Sequence, residues 1–190
     1  GLRQPYQLED VASVLAKRIL RDHPNGPYHL AGWCYEGLLA YETAQQLRAQ
    51  GANVGLLILV DAATPFSRKP FAGAGEVIAR IQREIFHLSR IVRLSPSKWL
   101  AYVRERFEEF SKRMARNKWQ DSYRNGVSSP ASGEDESNRI LHLAIADYVP
   151  RPYAGPLLFF QAAERPVGKY WDLAWEWKEL TGDRCDCREI

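Results

Sequence analysis

Residues 28–37 read Tyr-His-Leu-Ala-Gly-Trp-Cys-Tyr-Glu-Gly, a short apolar strand that runs through Gly32 and Cys34 straight into a helical pattern. A strand, a sharp turn carrying a nucleophile-type side chain and a helix make up the G-x-S-x-G nucleophile elbow. Its turn is so tight that only small neighbours fit, and the strain lifts the nucleophile clear of the sheet. Gly32 and Cys34 occupy the first Gly and the Ser positions, Glu36 stands at the second Gly, and Gly37 follows. Two departures result, a thiol in place of a hydroxyl and a carboxylate where the close helix-to-strand contact prefers glycine.

Outward from this stretch the pattern alternates helix and strand. Upstream, Leu8, Val11, Ala12, Leu15, Ile19 and Leu20 recur at helical spacing, with Glu9 and Asp10 at the favourable N-terminal end, and Asn25-Gly-Pro27 closes the segment. Downstream, Leu38, Leu39, Tyr41, Ala44 and Leu47 mark the buried side of a second helix with Gly51 as its C-cap. Val54 to Val60 is then continuously apolar, as a parallel strand covered on both faces would be, and it stops at Asp61. Helix, strand, helix, strand in this rhythm predicts an α/β fold, which places its chemistry at the C-terminal edge of the sheet.

Residues 65–135 change character. Val77, Ile78, Ile81, Ile85, Leu88 and Val92 make one helical stripe; Ser95-Pro96 is an N-cap and N1 pair opening another, Trp99, Leu100, Val103, Phe107, Phe110 and Met114. Two amphipathic helices between strands, with no strand of their own, read as a helical lid. The polar run 125–138 reads as a mobile loop. A helix through Ile140, Leu143, Ala144 and Tyr148 follows, then a buried strand over Gly155 to Phe160, a helix carrying Trp171, Leu173, Trp175 and Trp177, a turn at Gly182-Asp183, and a strand from Cys185 to Ile190.

A length of 190 residues with 45% hydrophobic and 26% charged residues suits one globular domain, with domain limits 1–190. No apolar stretch is long enough to span a bilayer and no signal segment opens the chain, so a cytoplasmic location is the default. The net charge of +3 is too small to imply nucleic acid. Residues 76–124, however, carry twelve Lys/Arg against six acids, so that this segment is +6 and the remainder −3. That segment is either a solvated helical face or a landing surface for an acidic partner. Cys185-Asp-Cys187 lacks a second ligand cluster and reads as part of a strand rather than a metal site. Gly1-Leu-Arg-Gln-Pro5 has no start methionine and no strand of its own, so the sequence is expected to begin inside a domain.

Gly26 to Leu47, then Gly51 to Val54, Leu57 to Asp61 and Tyr148 to Pro156 resemble the type I thioesterase domains of non-ribosomal peptide and polyketide synthases. These are α/β-hydrolases whose usual elbow is G-W-S-x-G-G followed by A-Y-E-x-A. The resemblance covers the chain outside roughly 66–135 and implies a helical lid there. It implies Asp61 as the triad acid and a catalytic His in a loop shortly after a strand like Cys185–Ile190. That His is expected beyond Ile190, and an oxyanion donor before Gly1, as if the sequence were truncated at both ends. Glu164, at the end of the next strand, is the alternative acid.

Acyl transfer from a thioester needs a nucleophile, a base, a group that orients the base, and N–H donors for the oxyanion. Cys34 is the candidate nucleophile and the Tyr35 backbone N–H the candidate oxyanion donor. A lone cysteine at a strand end is ordinarily a buried small hydrophobe, and Asp61 could simply cap a turn; the elbow and the 27-residue spacing between them favour the catalytic reading. Among the histidines, His29 is expected to pack within its strand, His23 to sit at a helix end, and His87 and His142 to be structural.

The function this implies is release of an acyl or peptidyl chain from a carrier protein's phosphopantetheine through a Cys34 acyl-enzyme, by hydrolysis, transfer or cyclisation. No bound cofactor, metal, nucleic acid or membrane is expected. The basic segment would face an acidic carrier. Two rivals are a stand-alone editing thioesterase and a degenerate hydrolase fold serving as a binding module, which Glu36 keeps open.

Overall fold

A computed structural model describes residues 7–64, 74–124, 141, 143–145, 147–166 and 171–190. The chain runs α1 (Leu8–Asp22), β1 (Tyr28–Trp33), α2 (Cys34–Ala49), β2 (Val54–Val60), α3 (Ala74–Arg93), α4 (Pro96–Arg124), β3 (Leu157–Gln161), α5 (Leu173–Thr181), a single 3-10 turn (Gly182–Arg184) and β4 (Cys185–Glu189). Among the described residues all three strand pairings are parallel, in the spatial order β1-β2-β3-β4. The polar loop at 125–138 and His142 lie outside the described residues, as does Ile140.

The core explains why these segments hold together. Leu38, Tyr41, Ala44 and Leu47 of α2 are buried, as are Leu57 and Leu59 of β2, Leu157 and Phe159 of β3, and Trp177 of α5. Tyr41 and Trp177 meet with ring centroids 4.9 Å apart, so α2 and α5 pack on the same face of the sheet. Leu8, Ala12 and Ala16 bury the inner side of α1. Ser95 precedes α4 and Pro96 opens it, in line with the cap pair read from the sequence. Gly51 takes φ 80 beyond the C-cap Gln50, a left-handed position that closes α2 at little cost for glycine.

One expectation is corrected. Ile58 and Val60, on the face of β2 opposite Leu57 and Leu59, are partly buried. On that same face His29, expected to pack within its strand, is exposed together with Ala31 and Trp33. Its Cε1 still rests close enough to Gly55 that a Cβ there would lie 2.9 Å from it.

The Tyr41-Glu42 pair has a structural role that links the two halves of the chain. Glu42 is wholly buried. Its carboxylate accepts from the Tyr148 hydroxyl (2.8 Å), from Arg151 Nη2 (3.1 Å) and from Gln46 Nε2 (3.0 Å). The Tyr41 hydroxyl and Gln45 Nε2 both donate to the Arg151 carbonyl, at 2.6 and 2.8 Å. A buried carboxylate is tolerated only when its lone pairs are satisfied in this way. The chain returning from α3 and α4 is thereby clamped onto α2.

Candidate active site

The junction of β1 and α2 leaves no residue between strand and helix, since β1 ends at Trp33 and α2 begins at Cys34. Cys34 makes the turn by adopting φ 51, a conformation that L side chains other than Asn and Asp rarely hold. The surrounding packing fixes it there. A Cβ at Gly32 would lie 2.6 Å from Gly37 Cα and 2.7 Å from the Glu36 carbonyl oxygen, and one at Gly37 would lie 2.5 Å from Ala62 Cβ. The close contacts of the elbow therefore fall on Gly32 and Gly37. Glu36 has its backbone in the contact while its side chain is exposed, so the carboxylate at this motif position is accommodated without displacing the helix.

Asp61 lies one residue past β2, and β2 pairs with β1 through Trp33 and Val60. Cys34 and Asp61 are consequently the next residues along two neighbouring parallel strands, at the C-terminal edge. Asp61 also has positive φ, 46°. Four contacts hold its turn. Asp61 Oδ1 accepts from the Ala162 N–H at 2.7 Å, the Asp61 N–H donates to the Phe160 carbonyl at 2.9 Å, the Trp177 indole donates to the Ala62 carbonyl at 2.7 Å, and the Thr64 hydroxyl donates to Glu176. Sequence reasoning missed Trp177 and Ala162 in this role, because both reach Asp61's turn from a hundred or more residues away.

Tyr35 occupies the first turn of α2, where main-chain N–H groups are not used by the helix ladder and the helix dipole is positive. Glu164 lies beyond β3, highly exposed, 3.3 Å from Arg90 Nη2 of α3. That contact carries α3 to the same edge of the sheet as Cys34 and Asp61. The described histidines stand apart from this edge or have other partners: His23 caps α1, His29 is exposed on β1, and His87 Nδ1 is 2.7 Å from the Tyr102 hydroxyl between α3 and α4. Burial, with Arg106 nearby, lowers the His87 pKa.

A parallel sheet flanked by helices, with Cys34 and Asp61 at the ends of neighbouring strands, gives this chain an α/β fold of the kind seen in α/β-hydrolases. Residues 1–83 match the model of the thioesterase domain family. The chain is 45% identical over 62 residues to a non-reducing polyketide synthase of Pseudevernia furfuracea, a match covering 33% of this chain and 3% of that protein. Its fold is shared with the NocB thioesterase domain, solved in covalent complex with a fluorophosphonate nocardicin G analog (TM-score 0.54, 23% identity, covering 97% of this chain and 64% of that one). It is shared too with AB3403, a four-domain non-ribosomal peptide synthetase (TM-score 0.53, 19% identity, 97% and 14%). The chain thus resembles the thioesterase domains of polyketide and non-ribosomal peptide synthases, and spans only a small part of the length of such multidomain relatives.

Proposed function

We propose that this chain is a thioesterase-type domain in which Cys34 takes an acyl or peptidyl chain from a carrier protein's phosphopantetheine thioester and then releases it to water or to another nucleophile. The observation carrying the proposal is the pair of strained turns, Cys34 at φ 51 and Asp61 at φ 46, at the ends of adjacent parallel strands. In this reading Cys34 Sγ attacks the thioester carbonyl. The Tyr35 N–H receives the oxyanion, a contact whose loss typically costs ~3 kcal/mol of transition-state stabilisation. Asp61 orients a histidine base, expected after β4 on the resemblance alone; Glu164 is less suited because it is exposed and paired with Arg90.

A cysteine acyl-enzyme is itself a thioester. Its formation from a pantetheine thioester is nearly isoenergetic, and it stays reactive toward amines and internal nucleophiles, which favours transfer or cyclisation beside hydrolysis. The α3–α4 stretch is the lid in this proposal, and its basic residues face the acidic carrier. The same chemistry would serve an embedded release domain or a stand-alone editing enzyme.

The test is intact mass spectrometry of the full-length protein after incubation with an acyl-pantetheine thioester. An acyl adduct is expected on the native protein and absent from Cys34→Ala. Neither adduct nor turnover on the native protein would sink the enzymatic reading.

A further inference from the structure

Cys185 and Cys187 play no part in that chemistry, yet they are placed as a pair. They are two residues apart on β4, opposite Leu157 and Phe159 of β3, so both side chains emerge on one face of the strand. Both are partly buried against the core, and their Sγ atoms lie 2.8 Å apart. We propose that Cys185 and Cys187 form a reversible modification site, a dithiol that a low-molecular-weight disulfide closes to an intrastrand disulfide, loosening the Ala162 anchor of Asp61.

The step balances by thiol–disulfide exchange. The Cys187 thiolate attacks one sulfur of the external disulfide RSSR, forms a mixed disulfide and expels RS⁻. Cys185 then loses its proton, attacks the Cys187 sulfur and expels the second RS⁻. Two protein thiols are oxidised and one external disulfide is reduced to two thiols. Burial, and then the hydrogen bond with Cys187, push the Cys185 thiol up to about 12, so Cys185 is written as the second attacker. Proximity supplies the second step, because the attacking sulfur is already in contact with its target.

Strand geometry gives closure a structural effect. The Cα atoms of residues i and i+2 of an extended strand are ~6.6 Å apart, at the upper limit of the ~4.4–6.8 Å that a disulfide spans and beyond its usual ~5.5–6 Å. Closure therefore draws Cys185 and Cys187 together by up to ~1 Å and buckles β4 at Asp186, which is exposed and free to move outward with its Arg188 partner. The far end of β4 is tied to the segment after β3: the Ile190 N–H donates to the Gln161 carbonyl (3.0 Å), the Ala163 N–H to the Ile190 carbonyl (2.9 Å), and Arg165 Nη2 to Glu189 (2.6 Å). Ala162, between those tied residues, donates the 2.7 Å hydrogen bond to Asp61. Buckling β4 thus pulls on the peptide that orients Asp61. Such a strained disulfide is readily reduced again.

The effect on turnover rests on the function proposed above, whereas closure and its effect on Ala162 do not. The full-length protein is incubated with oxidised glutathione, alkylated and digested with trypsin, which releases Cys185–Arg188 as one peptide. That peptide is expected two hydrogens lighter and unalkylated, and restored by dithiothreitol. Hydrogen exchange at the Ala162 and Ala163 amides is expected to speed up in the oxidised form. Recovery of both thiols alkylated, or of glutathione on each without ring closure, overturns the proposal, as does unchanged exchange at Ala162. For a thioester-cleaving protein, turnover counted per Cys34 found free of glutathione by peptide mass should fall by about 10- to 100-fold on oxidation, the scale of a misplaced positioning group, while Cys187→Ser and Cys185→Ala lose none on the same count. Equal loss in those variants overturns the link to Asp61. Absence of turnover in the reduced native protein defeats the thioesterase reading alone, since peptide mass and exchange still decide closure.

Discussion

At the scale of single residues, Cys34 is held at φ 51 by neighbours that could not be larger. Gly32→Ala would place a methyl 2.6 Å from Gly37 Cα and 2.7 Å from a carbonyl oxygen, both backbone atoms that cannot swing aside. We expect urea denaturation to show a loss of ~1–3 kcal/mol for this variant, accompanied by loss of acylation at Cys34. Asp61→Asn keeps an acceptor for Ala162 and a residue that tolerates the left-handed region, but it removes the charge. Stability should change little while thioester turnover falls by up to ~10⁴-fold, as for the orienting acid of a triad; unchanged turnover would instead point to a turn-capping role. The positions of Cys34 and Asp61 were legible in the sequence because the signals are local, a glycine two residues before the cysteine and an apolar run that halts at a carboxylate. Which of positions 36 and 37 carries the close contact was not, since it depends on Ala62, twenty-five residues on.

At the scale of elements, α2 is read from its sequence as an ordinary amphipathic helix, and nothing in that local pattern singles out Glu42. Its partners Tyr148 and Arg151 lie 106 and 109 residues away, beyond any local pattern. Tyr148→Phe removes a donor from a buried carboxylate and should cost ~1–3 kcal/mol in urea titration. The clamp also predicts an alkaline limit. Burial and the Glu42 charge raise the Tyr148 phenol above its ordinary value, and burial does the same to Tyr41. The folded protein therefore keeps protons that the unfolded chain releases near pH ~10. This contribution is complete below that pH and is lost as pH rises through and above it. The urea midpoint should fall between about pH 9 and pH 11, and fall less in Tyr148→Phe.

At the scale of the whole molecule, the helical stripes of α3 and α4 and the four parallel strands follow the sequence closely, whereas the way they are joined does not. Val77, Ile81, Ile85 and Leu88 on α3 and Val103, Phe107 and Phe110 on α4 are exposed, and the Arg90–Glu164 pair ties α3 to the edge of the sheet. Both partners of that pair are well exposed, so Arg90→Ala should shift thermal stability by less than ~1 kcal/mol; a larger loss would mean that α3 is held more firmly than this contact indicates. The helices themselves were readable from 3.6-residue periodicity. The place of the return segment was not, because it is fixed by the buried Glu42 clamp. That clamp also marks the seams for recombination between relatives. A graft whose junctions fall between Thr64 and Tyr148 exchanges α3 and α4 and leaves the carboxylate, its phenol and its guanidinium in one lineage. A crossover between Tyr148 and Arg151 splits the guanidinium from the rest, and chimeras cut there should be recovered folded less often than those cut outside it.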